Sequence, residues 1–219
     1  MLLNEDWAQR KLRILEEGMP RVILDNVFLY NSPTKYASEP FESSTVQDGE
    51  VLEYGKYCFQ CVLCPGHICL YDENTQTMLT GDHILFDISP NISSRGLGTN
   101  ALGDYINSLN KIKEFPVKYT LPAHRRQGNI SCGERVEQLI RHYKQRLDEI
   151  EYIVTSEPGL NAYEIASKIK WKISVNTWEN FPTSQKWFAV IEVLAHLDYL
   201  VSAERVKRIK SKFILYYVK

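Results

Sequence analysis

Two short apolar runs constrain this chain most, because each ends in a residue able to bind metal. Met78-Leu79-Thr80-Gly81 leads into Asp82, and Val117 to Ala123 leads into His124. An apolar run bounded by Gly or Pro reads as a buried strand. If the two strands lie parallel in one sheet, Asp82 and His124 reach the same edge. Carboxylate and imidazole are ligands that zinc, manganese or iron accept, so the spacing places candidate chemistry there.

The chain around them is ordinary globular material, 44% apolar and 24% charged over 219 residues, enough for one medium domain or a medium and a small one. A net charge of −1 gives no global field toward nucleic acid or membrane. No apolar run reaches transmembrane length, and the N-terminus has neither the basic start nor the apolar core of a signal peptide. Five cysteines, four of them between Cys58 and Cys69, argue against a secreted disulfide framework and for a reducing cytoplasm.

Periodicity organises the rest. A helix is expected from Trp7 to Gly18, and residues 31–50 are loop-like. Strand pairs are expected over Val51 to Leu63 and from Ile68 to Thr80. Asn100 caps a helix over Ala101 to Ile112, and a long helix runs from about Gly133 to Val154. A second unit starts near Thr155. Asn161 with Glu164 forms a capping-box start, Pro182-Thr183 opens a helix, and Val206 to Val218 suits a hairpin. Helices followed by a β-ribbon imply a winged-helix unit, giving domains 1–154 and 155–219.

Cys64-Pro65-Gly66-His67-Ile68-Cys69-Leu70-Tyr71-Asp72 resembles the Pro-Gly-His turn and following strand of metallo-β-lactamase-fold hydrolases. Thr80-Gly81-Asp82-His83, Ile88-Ser89-Pro90-Asn91-Ile92-Ser93 and Leu121-Pro122-Ala123-His124 follow in that family's order. The tail, through Ala162-Tyr163-Glu164-Ile165-Ala166 and Ala195-His196-Leu197-Asp198-Tyr199-Leu200, is similar to the winged helix of a glyoxalase-II-like subgroup. The resemblance implies an α/β fold: a partial αβ/βα metallo-β-lactamase sandwich followed by a small winged-helix domain. It implies one or two zinc ions and metal-hydroxide attack on an ester, thioester or phosphoester of a small-molecule substrate. Asp82 matches the bridging, catalytic carboxylate and His124 the final His ligand. His67 aligns equally with the ligand-bearing and the following unit of a tandem Gly-His repeat. The loop from Ile84 to Asn100, with Ser89, Asn91 and Ser93, is expected to border the substrate.

The chain also departs from the pattern. No His precedes His67, so the His-x-His-x-Asp-His signature is absent, and the chain resembles a family member lacking its N-terminal portion. The ligand count then predicts a metal-poor, weak hydrolase. The rival reading is a non-catalytic remnant or interaction module, a homodimer through an uncovered apolar face.

Three further features are weighed. Cys58-x2-Cys61-x2-Cys64 matches an iron–sulfur run, but alternation on a strand turns Cys58 and Cys61 to opposite faces. Arg205 to Lys219 is basic enough for nucleic acid, although the preceding helix is too apolar for a recognition helix. His83 is either a residue orienting a ligand or an ordinary turn residue, His142 faces solvent, and His196 is structural.

Overall fold

The computed structural model describes residues 2–30, 42–94, 96, 98–172 and 177–219, with the side chains of 2–8 and 28–30 left aside. The described residues form two compact units. One comprises Met1–Pro40, Ile92–Leu102 and Gln145–Lys219; the other comprises Phe41–Asn91 and Gly103–Lys144.

The second unit is built on a five-stranded sheet. β1 (Val51–Tyr54), β2 (Tyr57–Cys64), β3 (His67–Asp72) and β4 (Thr77–Gly81) form an antiparallel meander. β5 (Tyr119–Pro122) adds parallel to β4. The β2–β3 turn is Pro65-Gly66, with Gly66 at φ 83°, the positive φ that the third position of a type II turn requires. The parallel crossover passes through α3 (Ala101–Ile112). α3 buries Tyr105, Leu109 and Ile112 at helical spacing. α4 (Cys132–Ser156) adds Val136, Leu139 and Tyr143 to this unit's core, and the Tyr105 and Tyr143 rings meet edge-on at 5.3 Å.

One face of the sheet is covered, and the other, on which Cys61 is also buried, is partly open. Val62, Cys64, Cys69, Tyr71, Met78 and Thr120 alternate onto the buried face. The opposite face carries Leu63 paired with Ile68, and Leu79 paired with Leu121. Leu63 is 50% exposed, Ile68 39%, Tyr119 49% and Leu121 44%. An apolar sheet face open to solvent is unusual in a monomeric domain.

The first unit centres on α6 (Thr183–Ser202), which is apolar on nearly every side and accordingly buried. It packs against α2 (Arg21–Tyr30) and α5 (Ala162–Lys168), and β7 (Ile214–Val218) touches both α5 and α1 (Leu2–Glu16). β6 (Lys207–Ser211) and β7 form an antiparallel hairpin, as read. The capping box at α5 is present in both directions: Glu164 N–H donates to Asn161 Oδ1, and Asn161 N–H to Glu164 Oε2. α2 lacks a clear helical stripe in the sequence; Pro20 starts it, accepting from the N–H groups of Ile23 and Leu24. Phe188, at helical spacing from the buried Ile191 and Leu194, is 46% exposed.

Charges are buried in this unit too. Asp198 is 4% exposed and accepts from Arg13 Nη2 at 2.8 and 3.0 Å, from Arg208 and from Ser94 Oγ at 2.5 Å. Glu17 is fully buried and accepts from Tyr217 Oη at 2.9 Å. Burial pushes Glu17 up from the usual carboxylate range to about 7; the Tyr217 hydrogen bond and Arg13 oppose that rise.

Candidate functional site

The two strands that opened the sequence reading lie side by side and parallel, with Leu79 opposite Leu121 and Gly81 opposite Pro122. Ala123 N–H donates to Gly81 O at 2.9 Å, which extends the pairing past the strand ends. The next residues along, Asp82 and His124, therefore leave the same edge. His124 Nε2 stands 3.2 Å from Asp82 Oδ1. Both side chains are open to solvent, His124 at 67% and Asp82 at 37%. Asp82 Oδ1 is itself buried and makes no formal hydrogen bond, so the contact is an ion pair whose strength depends on the charge of His124.

Gly81 permits this arrangement through its backbone. Its φ of 53° is left-handed, and a Cβ there would lie 3.4 Å from His67 Nδ1. His67, exposed at the start of β3, thus rests against the residue preceding Asp82. Immediately after His124, Arg125 takes φ 69°, uncommon for a non-glycine residue, where the chain turns away from the edge.

The turn after Asp82 is held from the interior. His83 is 1% exposed, and its backbone N–H donates to Thr80 O. Thr80 Oγ1 donates to Ile84 O at 3.0 Å. His83 Nε2 lies 3.0 Å from Ser108 Oγ. The Ser108 hydroxyl proton goes to Tyr105 O, so His83 is the donor of that bond. Tyr105 Oη donates to His83 O at 2.7 Å. His83 is therefore a buried turn residue that braces the Asp82 turn from the interior.

The cysteines do not form a cage. Cys58 is exposed, and Cys61, on the sheet face opposite Cys64, is buried. Cys64 and Cys69 lie on the buried face with their sulfurs 3.5 Å apart. The bond to Cys69, with His83 assisting against burial, draws the Cys64 thiol down to about 5. The same bond and burial push Cys69 up. The basic tail is largely neutralised within its own unit. Arg205 pairs with Glu151 and with Asp148 at 3.3 Å. Arg208 pairs with Asp198, Lys210 with Glu16 at 2.6 Å, and Lys219 with Glu151 at 3.6 Å.

No family model and no curated protein matches the sequence. Solved structures do. A β-lactamase domain protein from Burkholderia ambifaria superposes with a TM-score of 0.79 at 24% identity, over 94% of this chain and 60% of its own. A metallo-β-lactamase family protein from Thermus thermophilus gives 0.74 at 24%, over 97% and 64%. The fold is metallo-β-lactamase-like. This chain spans about 60% of the length of the first of these structures and 64% of the second.

Zinc is usual in proteins of this fold, and a centre for it needs donors grouped around one point. Among the described residues, no three His, Cys, Asp or Glu side chains are grouped to hold a metal ion. All five histidines lie within the described residues, and His142 and His196 sit on α4 and α6. Asp82 and His124 come together as a pair, with His67 against Gly81 beside them. That set does not fit a dinuclear centre, which needs about three protein donors on each ion. Without metal, an imidazole beside a carboxylate has the chemistry of a general base open to water.

Proposed function

We propose that this chain has the architecture of a metal-dependent hydrolase of esters, thioesters or phosphoesters, with a depleted metal site and correspondingly weak activity. The observation that carries this is the Asp82–His124 pair at the shared edge of β4 and β5. Strand ends of this kind are where α/β folds place ligands, and the pair supplies two of the donor types zinc takes. His67 is the third candidate. Residues 155–219, with the α5–α6–β6–β7 order, support reading the tail as a winged-helix domain. Five free cysteines suit a cytoplasmic location, and no described helix is long and apolar enough to cross a membrane. The test is hydrolysis of p-nitrophenyl acetate, a thioester and bis-p-nitrophenyl phosphate with and without added zinc. Weak turnover that rises with zinc and disappears in Asp82→Ala and His124→Ala supports the reading. Turnover unchanged in both variants overturns it.

A second reading is favoured by the open sheet face. Leu63, Ile68 and Leu121 give association between copies of the chain a ready apolar surface, and a chain acting through such contacts would be an interaction module rather than a catalyst. The internal neutralisation of Arg205, Arg208, Lys210 and Lys219 counts against nucleic acid as the partner.

A further inference from the structure

The turn that leads the chain away from the Asp82–His124 edge is basic and fixed in place. Arg125 and Arg126 follow His124 directly, and both are exposed. Among the described residues neither side chain has a hydrogen bond, an ion pair or a ring contact. Arg135, by contrast, donates to Leu85 O and Ile88 O, and carboxylates neutralise Arg205 and Arg208.

Unpaired surface charge alone would say little, but three contacts hold this turn. Ala123 N–H donates to Gly81 O at 2.9 Å, and Gln127 Nε2 donates to Thr120 O at 2.7 Å. Gly128 lies so close to Phe86 that a Cβ there would overlap the ring. Phe86 follows Asp82 by four residues, so the turn is pinned to the segments on both sides of the edge. Between these anchors Arg125 is held at φ 69°. Such strain persists only where the surroundings impose it, and it clusters at ligand sites. A turn that needed its shape alone would be better served by glycine.

The charge balance of the edge is positive. Two permanent cations stand against the single carboxylate of Asp82. Asp87, the next acid along that segment, lies within electrostatic reach of Arg135. A guanidinium is weakly hydrated, and its fork of N–H donors matches two oxygens of a phosphate.

We infer that Arg125 and Arg126 make this edge selective for a phosphoester over a neutral ester or thioester, by holding the phosphate oxygens beside Asp82 and His124. The inference rests on the hydrolase reading of that edge and narrows its substrate class.

Titration of the full chain with phenylphosphonate and with methyl benzoate tests it, read by calorimetry and by the His124 imidazole NMR signals. Phenylphosphonate should bind at least ~10-fold more tightly, as charge-assisted hydrogen bonds imply, should weaken as salt is added, and should shift His124. Arg125→Gln with Arg126→Gln should bring the two affinities together without lowering the melting temperature, since neither side chain has a contact to lose. Lys212→Gln, at an exposed cation in the β6–β7 turn, should leave the preference intact. Equal affinities in the unaltered chain, an unmoved His124, a preference that survives the double substitution, or one that Lys212→Gln also removes would each overturn the inference. The readout is binding, so this failure stands apart from that of the hydrolase reading, which shows as turnover unchanged in Asp82→Ala and His124→Ala.

Discussion

His124 meets Asp82 at 3.2 Å because β4 and β5 run parallel and end together. The contact is set by backbone register, with Gly81 O accepting from Ala123 N–H one residue before His124. It therefore does not depend on packing around the side chains, which are exposed. Gly81→Ala tests that dependence. The left-handed φ makes alanine strained there, while its Cβ, 3.4 Å from the His67 ring, would sit at ordinary contact distance. The variant should lose roughly 1 kcal/mol or more of stability, and the His67 and His124 imidazole NMR signals should shift together. Unmoved signals would show that the edge does not need Gly81.

Glu17 makes stability pH-dependent in an unusual direction. Its folded pKa, about 7, lies above the ordinary value of 4.5, so the folded chain binds the proton more tightly. The associated stability is full below pH 4.5 and is lost as pH rises through 7. Glu17→Gln keeps a partner for Tyr217 and should flatten that slope and raise the urea midpoint at pH 8. Denaturation at pH 5 and pH 8 measures it.

Asp198 compensates two guanidinium groups in a site that is nearly dry. Asp198→Ala leaves Arg13 and Arg208, 11% and 15% exposed, without their carboxylate. Removing one partner of a buried pair costs about 3–5 kcal/mol. A loss below 1 kcal/mol in chemical denaturation would show that the cluster is solvated.

The thiols should divide by exposure. Cys58 is exposed, and Cys61, Cys64, Cys69 and Cys132 are buried. A maleimide should label one thiol quickly and the other four only on unfolding, with the fast site lost in Cys58→Ser. The low pKa of Cys64 does not override this, because a thiolate still needs access to its reagent.

The sheet face should drive association. If Leu63, Ile68 and Leu121 meet a second apolar surface, sedimentation should show concentration-dependent association, relieved by Ile68→Lys with Leu121→Lys. A monomer at all concentrations would leave the interaction-module reading without support.

Much of this architecture was legible because its signals are local. The 3.6-residue stripe of α4, the Asn161–Glu164 box and the Gly-bounded runs of β4 and β5 each specify their element within a few residues. What escaped was non-local or ambiguous. α2, with Val22, Ile23, Val27 and Phe28, carries β-branched and aromatic residues that suit a strand as well as a helix. Asp198 sits in an apolar helix, and its partner Arg13 lies 185 residues away, so neither residue marks the other in the sequence. The pairing of Asp82 with His124 was readable from strand ends, but the bracing of Asp82 by His83, Ser108 and Tyr105 was not, since it requires knowing where α3 packs.

Metal content per chain, by elemental analysis of protein purified without chelators, tests the central claim most directly. A depleted site predicts well under one equivalent of zinc, manganese or iron. Whatever binds on addition should be held weakly and be lost in Asp82→Ala and His124→Ala. Two tightly held ions per chain would contradict it.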